Sequence, residues 1–324
     1  MNKAIKRICN IDIKRYNSEK TILNNSGIFA YFDEEDIMNC KAMIIGPEDT
    51  PYSHGILFFD IQFPHNYPFT PPKVNYISNS MTRIHPNLYV NGKVCLSILG
   101  TWHGPGWTPA MNIISLLTTI QSLLTKNPIE HEPHFEKETG ALSKRYIKII
   151  NYERFKSLII NRYKDIRPDL NYFKNDIIRH IHNNKCKILE IFNNVSSGAS
   201  NKEVLYSQVY AIKLIINWSK LKDRLFDIFE SIDSQCKEDP SILYPKNVEK
   251  EENIDKVAEQ DEILNTSVTQ TIQSKPKKYI RKCPNDPAKL YEVSTIKLSE
   301  NDNKNYIVKE YIKNDKSIKK WIKA

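Results

Sequence analysis

Four short runs rich in β-branched and aromatic residues, all between residues 28 and 77, constrain this chain more than any other feature. They are Ile28-Phe29-Ala30-Tyr31-Phe32, Cys40-Lys41-Ala42-Met43-Ile44-Ile45, residues 56–63 (Ile-Leu-Phe-Phe-Asp-Ile-Gln-Phe) and Lys73-Val74-Asn75-Tyr76-Ile77, with Gly, Pro, Asn and Asp between them. Such runs read as strands, and their close spacing reads as an antiparallel four-stranded meander. Ahead of them, residues 3–16 set Ile5, Ile8, Ile11, Ile13 and Tyr16 among Lys3, Lys6, Arg7, Lys14 and Arg15, the spacing of a short amphipathic helix with a basic outer face. Behind them, residues 108–125 read as a largely buried helix, with Thr108 as its cap, Pro109 in its first turn and Asn127-Pro128 as its stop.

From about residue 132 the period changes. Residues 135–150, 152–163, 169–192 and 202–229 read as helices, broken at Arg167-Pro168 and at residues 193–198, so the second half is expected to be all-helical. Residues 233–275 lose periodicity and turn acidic, too polar to bury the apolar area that would offset chain entropy, and read as a disordered linker. Beyond it, residues 291–298, 306–312 and 317–322 alternate with Asn/Asp-rich turns, the pattern of a small three-stranded sheet. The expected fold class is α+β. Its expected domains are 1–147, a helical extension 148–232, the linker 233–275 and a basic β-like module 276–324.

Charge and cysteine usage exclude several classes. Lys and Arg number 47 against 38 Asp and Glu, and the imbalance sits at the end: residues 275–324 hold 14 basic and 6 acidic residues. No run approaches the roughly 20 apolar residues of a membrane-spanning helix, and the start continues into charged and polar residues instead of an apolar signal core, which argues against secretion. Cys9, Cys40, Cys95, Cys186, Cys236 and Cys283 form no Cys-x-x-Cys pair, so neither a zinc ribbon nor a disulfide framework is indicated. Free thiols in a reducing compartment, cytoplasm or nucleus, are expected.

The segment richest in chemistry is Arg83-Ile84-His85-Pro86-Asn87-Leu88-Tyr89-Val90-Asn91-Gly92-Lys93-Val94-Cys95-Leu96-Ser97-Ile98-Leu99. His-Pro-Asn followed by a cysteine eight residues after the Asn, preceded by Tyr67-Pro68-Phe69-Thr70-Pro71-Pro72-Lys73-Val74, resembles the ubiquitin-conjugating enzyme family. Gly46-Pro47-Glu48-Asp49-Thr50-Pro51-Tyr52, Trp107-Thr108-Pro109-Ala110 and Asn127-Pro128 extend the resemblance over roughly residues 1–147. The loop Gly100-Thr101-Trp102-His103-Gly104-Pro105-Gly106 is longer than in common members. With Asn-Gly-Lys-Val-Cys-Leu-Ser-Ile-Leu-Gly-Thr-Trp before it, the sequence is similar to a large subclass with helical extensions.

The resemblance implies an acyltransferase. Its thiol exchanges acyl groups with another thioester, and the product thioester stays open to an amine. Cys95 would accept the C-terminus of ubiquitin or a related modifier. Asn87 would stabilise the oxyanion formed when a lysine amine attacks, or brace the loop that does so. His85 and Pro86 would be structural, the imidazole tying the loop. Glu130, three residues after Asn127, is the nearest match to an acidic residue that positions the lysine; His131 is its rival, and a solvated loop carboxylate the alternative. No cofactor is implied, since ATP is used by the activating enzyme.

Partners follow from the same resemblance: the modifier, an activating enzyme, a ligase and a substrate protein. Lys3, Lys6 and Arg7 would meet an acidic surface of the activating enzyme, with an ordinary solvated helix face as the alternative. Phe69, Pro109 and Ala110 would dock a ligase, unless Phe69 is buried in its own domain. Trp102 and Trp107 read as packing residues. His131, His134, Glu132 and Glu136 read as a loop entering a helix and not as metal ligands, because Pro133 interrupts them and no thiol joins them. The basic tail, interleaved with Tyr279, Tyr306, Tyr311 and Trp321, raises contact with nucleic acid. Residues 278–321 faintly resemble modules of large DNA viruses, which would place the protein in a host cell or virion. A catalytically silent homologue and a protein acting mainly through its tail are the competing readings.

Overall fold

The computed structural model describes residues 3–198, 203–244, 296–298, 305–313 and 316–323. The chain divides into two compact units, residues 1–249 and 250–324.

In the first unit, β1 (Ile28–Phe32), β2 (Asn39–Ile45), β3 (Ile56–Gln62) and β4 (Lys73–Ile77) pair antiparallel in sequence order. The register sets Ala30, Ala42, Phe59 and Tyr76 on one face and Phe29, Met43, Phe58 and Ile77 on the other. Ile56, Leu57, Phe58 and Phe59 are all fully buried. A strand that is apolar on successive residues needs cover on both faces, and both are covered.

The Ala30 face is covered from the N-terminal side. Lys3–Arg7, the π-helical turns Ile8–Ile13 and Lys14–Asn25 run on as one helix, α1. It is longer than the expected 3–16 because Leu23 prolongs its buried stripe beyond Tyr16. The Tyr16 hydroxyl accepts from the Ala30 amide at 2.7 Å, and its ring meets Phe32 edge-on. The next helix, α2 (Ile113–Ser122), begins later than expected. Asn112, not Thr108, caps it, its side chain accepting from the Ser115 amide, so Thr108, Pro109 and Ala110 stay in the preceding loop.

The Phe58 face is covered by the second half of the chain. Ala141–Glu153, the π-helical turns Arg154–Asn161 and Arg162–Lys164 form one helix, α3, buried almost all round over residues 149–162, as a central helix must be. The boundary expected at 147/148 falls inside it. Arg162 of α3 donates to the carbonyls of Ile56 and Ile77. Tyr172 stacks on Tyr31 at 3.6 Å, Phe173 packs on Phe58, and Asp169 pairs with Lys41 at 2.9 Å. Helices α4 (Lys174–Ser196) and α5 (Trp218–Glu238) lie outside this layer, joined to it through Phe155, Phe192 and Trp218.

Three expectations for this half are corrected. Helix α3 starts at Ala141 and not at 135, because residues 132–140 form turns. The helix expected over 202–229 is instead a hairpin, β5 (Glu203–Ser207) and β6 (Ile212–Ile216), followed by α5. Leu205, Ser207, Ile212, Leu214 and Ile216 are buried while Val204, Tyr206, Lys213 and Ile215 face out, a period of two that no helix can satisfy. The acidic stretch is structured at its start: α5 continues to Glu238, with Ile232, Cys236 and Ile242 in the core. The rest of the expected linker, residues 245–275, lies outside the described residues, as does the basic stretch 275–295.

In the second unit, β7 (Ile296–Leu298), β8 (Asn305–Lys313) and β9 (Lys316–Lys323) pair antiparallel in order. Among the described residues no helix is long and apolar enough to cross a membrane.

Candidate active site

After β4 the chain forms an irregular loop whose turns bring Asn87 and Cys95 together. The turn at Gly92 makes this possible. Its φ is +94°, and a Cβ there would lie 2.0 Å from the Asn75 side-chain oxygen, so only glycine fits. The Gly92 carbonyl accepts from the Tyr76 amide at 2.8 Å, which fixes the returning chain against β4. Two hydrogen bonds then close the eight-residue gap: Cys95 N–H donates to the Asn87 carbonyl at 2.9 Å, and Asn87 Nδ2 donates to the Cys95 carbonyl at 2.8 Å.

His85 is locked beneath them. Its ring is fully buried, Nδ1 accepts from the Asn87 amide at 3.0 Å, and Nε2 donates to the Leu123 carbonyl at 2.8 Å. Both bonds are satisfied together only by a neutral imidazole. Burial, with a smaller contribution from His131, pushes its pKa down to about 3. A histidine held this way is a strut between the loop and the end of α2, not a base.

Cys95 is 1% exposed and opens onto a cavity of about 340 Å³ whose lining includes Asn87, Trp102, Glu130, His131 and Glu136. Glu130 thus shares a cavity with the thiol, and so does its rival. His131 stands with its ring centroid 5.1 Å from that of His85, and its Nε2 is 3.9 Å from Glu130 Oε1; burial lowers its pKa. The Asn87 carboxamide nitrogen is committed to the backbone of Cys95, while its Oδ1 is buried without a partner. That geometry matches the brace among the two roles considered for Asn87.

One contributor escaped the sequence reading. Thr101 Oγ1 donates to the Val94 carbonyl at 2.7 Å and accepts from the Leu96 amide at 2.9 Å, knotting the chain on both sides of Cys95. A hydroxyl residue inside a glycine-rich loop was the available signal. Trp102 stands over the cavity, and Trp107 Nε1 donates to the Pro68 carbonyl at 2.7 Å.

The expected partner surfaces fare unevenly. Phe69 is 77% exposed, which removes the reading that it is buried, and Pro109 and Ala110 are exposed in the loop that Trp107 joins to Pro68. Lys3 and Lys6 are exposed, but Arg7 is not part of a free basic face. Its guanidinium donates to the carbonyls of Met111 at 2.9 Å and Pro109 at 3.3 Å, and lies 3.8 Å from Asp12. Asp12, fully buried, accepts from the Tyr67 hydroxyl at 2.7 Å and the Ile113 amide at 2.8 Å; burial raises its pKa against these bonds. This cluster fastens α1 to the start of α2 and to the loop bearing Phe69. Among the described residues, no three His, Cys, Asp or Glu side chains gather as a metal site.

Residues 13–153 match the family model described as ubiquitin-conjugating enzyme. A ubiquitin-conjugating domain is present. Ubiquitin-conjugating enzyme E2 Z of Xenopus tropicalis is 47% identical over 130 residues, covering 39% of this chain and 42% of that protein. E2 Z of Homo sapiens is 48% identical over 130 residues, covering 39% and 37%. The human dual E2 ubiquitin-conjugating enzyme/E3 ubiquitin-protein ligase BIRC6 is 35% identical over 178 residues, covering 51% of this chain and 4% of that one. The chain thus spans about two fifths of the length of the E2 Z relatives it matches.

Proposed function

We propose that this chain accepts ubiquitin or a ubiquitin-like modifier as a thioester on Cys95 and passes it to a lysine amine. The Cys95 thiolate attacks the modifier's C-terminal carbonyl, held as a thioester on an activating enzyme, and the enzyme's thiolate leaves. A lysine ε-amine then attacks the Cys95 thioester; the tetrahedral oxyanion collapses, an isopeptide bond forms, and the Cys95 thiolate departs with the amine's proton released to solvent or a nearby acceptor. The observation that carries this reading is the pair of hydrogen bonds tying Asn87 to the peptide of Cys95 beside a cavity that also holds Glu130 and His131. An amide bracing the thiol's own backbone suits a nucleophile that must hold a bulky acyl group in one orientation.

In this reading Glu130 or His131 receives the incoming lysine, which at a reference pKa of about 10.4 arrives mostly protonated. Lys3 and Lys6 face the activating enzyme, and Phe69 with Pro109 and Ala110 faces a ligase. Nucleic-acid contact through residues 275–324 and a viral origin, with action in the host cell, remain separate proposals resting on sequence alone. The test is a charging assay with an activating enzyme, ATP and ubiquitin, run on a gel with and without thiol, beside Cys95→Ala. A thiol-sensitive band of one added modifier, lost in the variant, supports the reading. No band with ubiquitin or its relatives, from folded protein and an active control enzyme, refutes it and leaves the silent-homologue reading.

A further inference from the structure

Arg83 stands two residues ahead of His85, and its guanidinium is sandwiched between two tyrosine rings, 3.6 Å from the centroid of Tyr89 and 4.1 Å from that of Tyr210. Tyr89 belongs to the same loop. Tyr210 comes from the turn of the β5–β6 hairpin, far along the chain. The Tyr210 hydroxyl donates to Glu132, which follows Glu130 by two residues. Arg83 itself donates to the Pro86 carbonyl and lies 3.9 Å from Glu132. Tyr146 of α3 donates to the Arg83 carbonyl at 2.9 Å and meets the Tyr210 ring edge-on. A single side chain therefore touches two of the segments that contribute to the Cys95 cavity, each at a residue close in sequence to its lining residues: its ring meets Arg83, ahead of Asn87, and its hydroxyl meets Glu132, between His131 and Pro133.

The backbone beneath it is strained. Tyr210 and Ala211 have φ of 64° and 49°, consecutive left-handed residues without a glycine. Glycine or asparagine would relax such a turn. Strain of this kind persists where surrounding contacts over-determine it, and the contacts made by Tyr210 include those with Arg83, Glu132 and Tyr146.

We propose that Tyr210 is a positioning residue for Cys95: the hairpin of the second half clamps two of the segments that line the thiol's cavity, those carrying Asn87 and Glu130, in register. This rests on the proposed role of Cys95. In its absence the clamp would still limit access to the thiol, which separates the two claims experimentally.

The test uses the full chain and the variants Tyr210→Phe, Tyr210→Ala and Glu132→Gln. Iodoacetamide alkylation is followed peptide by peptide, with exposed Cys186 as the internal reference. In parallel, preformed Cys95 thioester is discharged to free lysine over a range of lysine concentrations. The expected result is faster alkylation of Cys95 at constant Cys186 rate, mild in Tyr210→Phe and Glu132→Gln and about ten-fold in Tyr210→Ala. The maximal discharge rate falls by about ten-fold with the half-saturating lysine concentration unchanged, because alignment and not binding is lost. An unchanged Cys95-to-Cys186 ratio in all three variants overturns the proposal. So does a rise of both cysteines together with a lowered melting temperature, which marks plain destabilisation. A wild-type chain that takes no modifier defeats the function reading alone, and the alkylation ratio then decides the clamp.

Discussion

Acid should weaken this fold through His85, and His85→Gln measures by how much. The ring is fully buried, and its two nitrogens satisfy the Leu123 carbonyl and the Asn87 amide only when it is neutral. Its pKa is lowered from 6.5 to about 3 by burial first and by His131 and Arg83 after it. The folded value lies below the unfolded one, so the stability tied to the neutral ring is complete well above pH 6.5 and drains away as pH falls toward 3. With an unfolded pKa of 6.5, linkage gives a loss of about 1 kcal/mol at pH 5.5 and about 3 kcal/mol at pH 4.5, figures insensitive to the folded value while it stays near 3. Gln cannot titrate. At pH 7.5 the variant is weaker by about 1–3 kcal/mol, since the Asn87 amide or the Leu123 carbonyl loses its partner in the core. That gap should shrink by about 1 kcal/mol on going to pH 5.5, because the carboxylates, His54 and His180 contribute alike to both proteins and cancel, leaving His85 with its ring neighbour His131 as the difference. Urea unfolding followed by tryptophan fluorescence at pH 7.5, 6.5 and 5.5 reads the gap directly. A gap that stays constant refutes the neutral strut.

Three other outcomes are expected. Asn87→Ala should still charge on Cys95 but discharge to lysine about 10²-fold more slowly, whether the amide acts on the oxyanion or through the loop; equal discharge removes it from the second step. Phe173→Ala should lower the unfolding free energy of the whole first unit by about 3–5 kcal/mol, because Phe173 is buried against Phe58; a loss under about 1 kcal/mol in urea would mean that the second half does not share the sheet's core. Phe69→Ala should leave stability within about 0.5 kcal/mol while slowing ligase-dependent discharge, and an unaltered dependence on ligase concentration would exclude Phe69 from that contact.

The meander could be read from sequence because each of its runs is short, apolar and closed by turn residues, whereas the grouping of His85, Asn87 and Cys95 came from the family resemblance that their motif carries. The hairpin at 203–216 was lost to a helical reading. Ile215 and Ile216 are adjacent isoleucines that suit either period, and only the alternation Ile212, Leu214, Ile216 against Lys213 and Ile215 separates them. The end of α1 was missed because residues 17–22 are mostly polar and the next buried contact is Leu23. Arg7 read as surface charge because nothing local announces the carbonyls of Pro109 and Met111. The tie between Arg83, Tyr210 and Glu132 joins three distant stretches by tertiary packing alone, and no local pattern encodes it.

The second layer on the sheet also has a consequence for traffic around the molecule. Tyr31, Lys41 and Phe58 lie on one face of the meander, and the residues that meet them are Tyr172, Asp169, Phe173 and Arg162 of the same chain. That face has a resident at an effective concentration no diffusing competitor can match. Visitors are left with the rim: the Phe69 loop, the ends of the helices and the mouth above Cys95.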